Sequence, residues 1–280
     1  MSSQPVALPQ VGRLRAGVDF YLTMMRTAIV SQFQYRAANY LYMLGMIAEP
    51  VIYLVVWSTI AEQSGGAVQG FTPGEFAAYY IVWTLVRSMN IVFAGQAWEW
   101  RIREGQISSW LVQPFHPLHR DIAWFAGWKV VVITLWVPLA IALSLLFDPD
   151  LHPSPQEMAT FAIAIWGAYL IRTMFMSALG MICFWTTRGA AIFDLYMMLE
   201  LLLSGRLVPL PLMPDWVQTV ALFFPFQWAF YFPIESLVGD LSTWELIGGL
   251  GAQLAWILVG WGLFTLVWRP AIRRYSAVGN

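Results

Sequence analysis

The chain has 280 residues, 59% hydrophobic and only 11% charged, with a mean hydropathy of +0.62. Soluble domains carry roughly 25% charged residues, so this chain lacks the polar side chains to coat a globular surface. A net charge of −1 excludes a polycation for nucleic acid. The single cysteine, Cys183, excludes an internal disulfide, a CxxC redox pair and a cysteine-based zinc site. The 16 Trp and 11 Tyr favour bilayer interfaces.

These values predict an all-α integral membrane protein with six transmembrane helices. An N-terminal interfacial helix and a re-entrant outer hairpin between spans 5 and 6 complete the expected fold.

Met1 to Gly12 is uncharged and followed by Arg13 and Arg15, which does not resemble a cleavable secretory signal. Across 14–36, Leu14, Val18, Leu22, Met25, Ile29 and Phe33 recur mostly four apart, with Arg15, Asp19 and Arg26 off the stripe. That period predicts an amphipathic helix lying in the interface, within a cytoplasmic N-terminal unit of 1–37. A helix needs about 20 apolar residues to cross a core about 30 Å thick. The six candidate spans are Tyr40–Ala61, Phe76–Ala97, Ile122–Phe147, Met158–Trp185, Ala191–Val208 and Trp244–Trp268. They form one membrane unit, 38–268, with a cytoplasmic tail over 269–280.

With the N-terminus in the cytoplasm, 12 of the 15 basic residues fall on the inner side, Lys129 counted among them. Arg87, Arg172 and Arg206 fall within spans, and the outer segments hold acids and no basic residue. The positive-inside rule therefore places both termini in the cytoplasm. The segment 209–243 is the irregular part: Trp216–Phe232 is nearly apolar but holds Pro225, with Pro209, Pro211, Pro214 and Pro233 around it. Non-helical backbone at membrane depth survives where protein or a wet cavity covers it. The segment is read as a re-entrant hairpin from the outer face, with a seventh span as the alternative.

Four ionisable residues fall near the middles of spans: Glu49, Arg87, Arg172 and Glu200. Antiparallel neighbours match Glu49 with Arg87 and Arg172 with Glu200 in depth. Intramembrane charges usually face a bundle interior or a cavity. The four either line a transport path or only fix helix register. Pro50 removes a backbone donor just after Glu49, which predicts a kink in span 1.

The loop Trp98–Pro114 mixes Arg101, Arg103 and Glu104 with Ile107, Trp110 and Leu111 around Gly105. It reads as a short amphipathic helix that either docks on a soluble partner or lies on the lipid surface. His116 and His119 lack a completing carboxylate or thiol, so no metal site is expected. Gly248, Gly249, Gly251, Ala252 and Ala255 give span 6 a small-residue face for close packing. No G-x-x-x-x-G-K-[ST], HExxH or GxSxG is present, so neither a P-loop nor common hydrolase chemistry is expected.

Two stretches carry a family likeness. Arg103-Glu-Gly-Gln-Ile-Ser-Ser-Trp-Leu-Val-Gln-Pro114 is similar to the loop R-x-G-x-(I/L)-x-x-x-L-x-x-P that follows span 2 in ABC-2 type exporter permeases. Phe184-Trp-Thr, Leu203-Ser-Gly-Arg-Leu-Val-Pro209, Pro214-Asp-Trp, Pro225-Phe226, Tyr231, Pro233 and Gly239 resemble the signature around span 5 in the six-span, drug-exporter-like branch.

The resemblance implies a dimer of permeases, the second of the same or a different chain, bound to two cytoplasmic ABC ATPase subunits that hold ATP and Mg. This chain would carry no cofactor of its own. The resemblance places a coupling helix at 99–114, with Arg101, Arg103, Glu104, Gly105 and Gln106 as contacts. It puts Glu49, Arg87 and Glu200 near the path, and an outer gate at Pro209, Pro214, Pro225, Phe226 and Pro233. A bacterial cytoplasmic membrane and an amphipathic or hydrophobic cargo follow. The rival is a proton-coupled carrier using Glu49 or Glu200.

Overall fold

The computed structural model describes residues 12–34, 36–68, 70–186 and 188–275, with backbone alone at 13 and 36–47. The expectations for 1–11, for the Arg36 side chain and for the tail beyond 275 lie outside the described residues.

The described chain is helical, its only bridge pairing being Val68 with Phe71. Four helical stretches are long and apolar enough to cross a membrane: Pro73–Arg103, Pro117–Phe147, Pro155–Phe184 and Thr243–Arg274. The protein is therefore an all-α membrane protein.

Helix α1 (Arg13–Gln34) docks along α6 (Pro117–Phe147). Phe20 stacks on Phe115 with centroids 4.2 Å apart, and Tyr21 shares a 2.8 Å hydrogen bond with His119 Nδ1. Gly127 permits the approach, because a Cβ there would sit 2.5 Å from the Met25 carbonyl oxygen. Leu14, Val18, Leu22 and Phe33 of the apolar stripe remain exposed. Helix α2 (Arg36–Gln63) continues through Pro50, with no break at the proline.

Helix α3 (Pro73–Asn90) is the core of the molecule, buried continuously from Phe76 to Val86. A capping box starts it, Thr72 Oγ1 accepting from Glu75 N and Glu75 Oε2 accepting from Thr72 N. The expected span 2 is not continuous: the helix stops at Asn90 and resumes as α4 (Ala94–Arg103). The freed carbonyls find donors inside the protein. Lys129 Nζ donates to Ser88 O at 2.8 Å and Ile91 O at 2.6 Å. Asn90 Nδ2 donates to Val86 O at 3.0 Å and to Ala229 O at 2.6 Å. Lys129, fully buried, is thus a cap for a helix C-terminus and not the inner-side charge expected of it; a cation there also complements the helix dipole.

A five-residue α5 (Ile107–Leu111) leads into α6, then α7 (Pro155–Gly180) and α8 (Ala190–Leu203). The fifth expected span, Ala191–Val208, is helical only to Leu203. Fourteen residues reach about 21 Å, short of a core about 30 Å thick.

The 209–243 region breaks into α9 (Asp215–Ala221), α10 (Phe226–Ala229) and α11 (Tyr231–Val238). None of these is long enough to cross, so Trp216–Phe232 is not one continuous span.

Helix α12 (Thr243–Arg274) packs on α7. The close-packed face differs from the one expected. Of the small residues, Gly249 lies under Phe232, while Gly248 and Gly251 face open space. Contact continues instead through Gln253 and Gly260. The Gln253 amide fills the notch at Gly167, Oε1 lying nearest, and its Nε2 donates to Ala164 O and Trp228 O at 3.0 and 2.8 Å. A polar residue supplies the seam because two backbone carbonyls accept from its amide there.

Candidate functional site: a charged cavity and the loop that reaches it

After α8 the backbone unwinds at Ser204–Val208, and three aromatic side chains on α3 hold it. Tyr79 Oη donates to Gly205 O at 2.8 Å, Trp83 Nε1 to Arg206 O at 2.9 Å and Tyr80 Oη to Leu207 O at 3.3 Å. Irregular backbone at this depth requires such internal partners. Gly205 takes φ +79°, which only glycine adopts without strain. The spacing of Tyr79, Tyr80 and Trp83 on one helix was the sequence signal for this clamp, and it passes for ordinary core.

The turn brings a third guanidinium to the central charges. Arg87 Nη2 lies 2.6 Å from Glu49 Oε2, and Arg206 Nη2 lies 3.3 Å from Glu49 Oε1. Arg172 Nη1 lies 2.6 Å from Glu200 Oε1, both side chains almost fully buried. Arg172 Nη2 also points to Met197 Sδ at 2.9 Å, and its guanidinium stacks 4.8 Å over Tyr196. All four central residues read from the sequence therefore meet in two pairs, and Arg206 joins the first. Sequence reasoning missed Arg206 because its position depends on the unwinding.

Arg87, Arg172, Glu200 and Arg206 line one cavity of about 200 Å³, walled elsewhere by Phe93 and Phe230. Three guanidiniums face two carboxylates in this cluster. Arg172 Nε and Arg206 Nε are buried with no hydrogen-bond acceptor among the described residues.

The residues of the loop around Gly105 divide into two kinds. Arg101 turns inward and binds Asp121 through both ends, Nη1 to Oδ2 at 2.8 Å and Nη2 to Oδ1 at 2.7 Å. Its guanidinium lies 4.0 Å over Trp110, with Arg120 4.3 Å from the same ring. It fastens α4 to α6 and is not free to touch a partner. Arg103, Glu104 and Gln106 stay exposed, with Arg103 Nε 3.4 Å from Glu104 Oε1. Gly105 turns the chain with φ +68°. Its carbonyl accepts from Tyr275 Oη at 3.0 Å, and Ser108 Oγ meets the same hydroxyl at 2.6 Å.

Behind this tip, α4 is keyed to α8. Glu99 Oε2 accepts from Gly189 N at the start of α8, 3.3 Å away. Phe193 and Met176 press against Gly95, and Trp98 against Gly180, where any Cβ would collide. Helix α4 thus packs mainly on α7 and touches the start of α8, the helix that carries Glu200, through Glu99 and Phe193.

His116 is the N-cap of α6, its ring 4.5 Å from that of Trp268. Burial, with His119 beside it, holds its imidazole below the ordinary value. The two histidines are packing and capping groups. Among the outer residues, Pro209, Pro225, Phe226 and Pro233 are buried and Pro214 is exposed. Phe226 packs edge-on against Tyr196 at 5.1 Å. Beyond them a second cavity, about 450 Å³, is lined by Trp228, Tyr231, Phe232, Glu235 and Glu245. Burial pushes the Glu235 carboxyl up to about 7; the Tyr231 hydrogen bond opposes the rise and Glu75 adds to it.

Residues 47–279 match the model of a family described as ABC-2 family transporter protein. No curated protein matches the chain.

Proposed function

The chain belongs to the ABC-2 transporter family, and from that premise we propose that it is the membrane-spanning permease subunit of an ATP-driven exporter. Permeases of this kind are membrane transport subunits. The finer reading is that two cytoplasmic ATPase subunits bind ATP and Mg and act on a dimer of permeases, the second chain the same or different. The setting is a bacterial cytoplasmic membrane with both termini inside. Six crossings are assigned to α2, α3–α4, α6, α7, α8 with its unwound turn, and α12. Helix α1 lies in the interface, and 209–243 dips in from outside as a re-entrant gate that includes Phe226.

The observation that carries the mechanism is the packing of α4 on α7, with Glu99 and Phe193 meeting at the start of α8. ATP-driven closure would press on the exposed Arg103–Gln106 tip. The Arg101–Asp121 fastening makes α4 and the start of α6 move together. The break at Ile91–Phe93 lets α4 move without dragging α3. Through Glu99 and Gly189 that motion reaches α8 and the Arg172–Glu200 pair at the cavity. Coupling requires differential contacts in two states, and this chain of packed groups supplies a route for them.

The test is gentle purification of the tagged protein from its native membrane. Stoichiometric recovery of an ATPase subunit is expected, and recovery of this chain alone from several mild detergents would overturn the assignment. That second result would favour a proton carrier at Glu49 or Glu200, although each carboxylate would first have to leave a guanidinium 2.6 Å away.

A further inference from the structure

We propose that the cavity between α3, α7, α8 and the 204–208 turn binds an oxyanion, of the phosphate type, carried on an amphiphile. The charge count points to this. Three guanidiniums, of Arg87, Arg172 and Arg206, pair with two carboxylates, of Glu49 and Glu200, so the formal charge of these five side chains is +1. Lys129 stands close by at the end of α3 and adds a second when protonated. An uncompensated charge in a low-dielectric interior is expensive, and an entering anion removes that cost.

The donors fit the same ligand. Arg172 Nε and Arg206 Nε are buried without an acceptor among the described residues, and guanidinium is the side chain best suited to planar, multi-point contact with phosphate oxygens. A register-fixing cluster needs neither the excess cation nor the idle donors. Apart from these charges and Asn90, the wall is apolar: Ile91, Val92, Met197, a buried Phe230 and a Phe93 about half-exposed beside it. A ligand with an apolar body behind its charged head suits that lining better than a bare ion.

This deepens the transport reading, since a path through this cavity would select anionic amphiphiles. The test uses the full chain alone in a neutral detergent, so its failure leaves the exporter assignment standing. Conversely, purification without an ATPase would leave this site standing. Thermal unfolding is followed during titration with octyl phosphate, inorganic phosphate and octyltrimethylammonium. A saturable rise in Tm with octyl phosphate is expected, weakened at least about tenfold in Arg206→Gln, a loss of roughly 1.4 kcal/mol of binding. Arg87 still neutralises Glu49 in that variant.

If Arg206→Gln does not fold, Arg206→Lys serves: it keeps the charge, loses the planar fork and is expected to weaken binding to a smaller extent. An equal, Arg206-dependent rise with inorganic phosphate would support the oxyanion site and identify the free ion as sufficient. No saturable rise with either phosphate, an equal rise with octyltrimethylammonium, or unchanged affinity in the Arg206 variants would overturn the proposal.

Discussion

Arg101 with Asp121 and Arg172 with Glu200 are both buried ion pairs between helices, yet their surroundings differ. Arg101 and Asp121 satisfy each other through two parallel hydrogen bonds, and aromatic rings cover the guanidinium. Arg172 and Glu200 border an open volume, with idle donors and a third arginine nearby. Burial and distance alone do not separate the two; charge balance and donor satisfaction do. A balanced, saturated pair fastens elements together. An unbalanced one beside a cavity is placed to receive something. The exposed Arg103–Glu104 pair, about half accessible on both sides, is a third kind, worth little to stability and open to a partner.

The largest expected effect tests the fastening. Asp121→Asn strands a buried guanidinium, which costs about 3–5 kcal/mol. A sharply lower Tm in detergent with octyl phosphate affinity unchanged is expected; an unchanged Tm would remove the fastening role.

Glu200→Gln sharpens the contrast. It too lowers stability, toward the lower end of about 3–5 kcal/mol because Arg172 borders a cavity, but it adds a net positive charge there and so tightens octyl phosphate binding. Weaker binding in this variant would erase the distinction between the two pairs.

Glu235 supplies a partly buried acid beside Tyr231, within electrostatic reach of Glu75. Its carboxyl titrates near 7 in the folded protein against an ordinary 4.5, so between these values the folded state holds more protons than the unfolded one. Stability therefore falls as pH rises from about 4.5 to about 7, then levels off. Glu235→Gln should flatten that slope and exceed the parent at pH 8 by up to roughly 3 kcal/mol. Equal slopes in a Tm series against pH would refute the assignment.

The smallest stability change is expected at the exposed tip. Glu104→Lys should alter stability by less than about 0.5 kcal/mol. In the assembled transporter it should separate ATP hydrolysis from transport, read as retained ATPase with lost export in vesicles. Normal transport in that variant would count against the tip as the coupling contact.

Much of the site was legible in the sequence because depth follows from position along a helix. Glu49 opposite Arg87, and Arg172 opposite Glu200, needed only antiparallel neighbours and a count of residues. The loop around Arg103 was legible from its mixed charge and its glycine. Hydropathy could not show where helices stop. The break at Ile91–Phe93 lies in an apolar run without proline, while Ser204–Val208 holds Gly205 and precedes Pro209; in each, distant donors satisfy the freed carbonyls: Lys129 for one, Tyr79, Tyr80 and Trp83 for the other. For the same reason Arg206 and Lys129 were misplaced, and Arg101 looked as available as Arg103.

The sequence by itself determined that this is a helical membrane protein with paired central charges and a charged loop of family character, since composition, hydropathy and spacing are properties of the chain alone. Tertiary structure decided which arginine is fastened, which is free and where a third one enters the cavity. Those outcomes depend on which unsatisfied backbone and side-chain groups meet across the bundle, and partners dozens of residues apart leave no local trace.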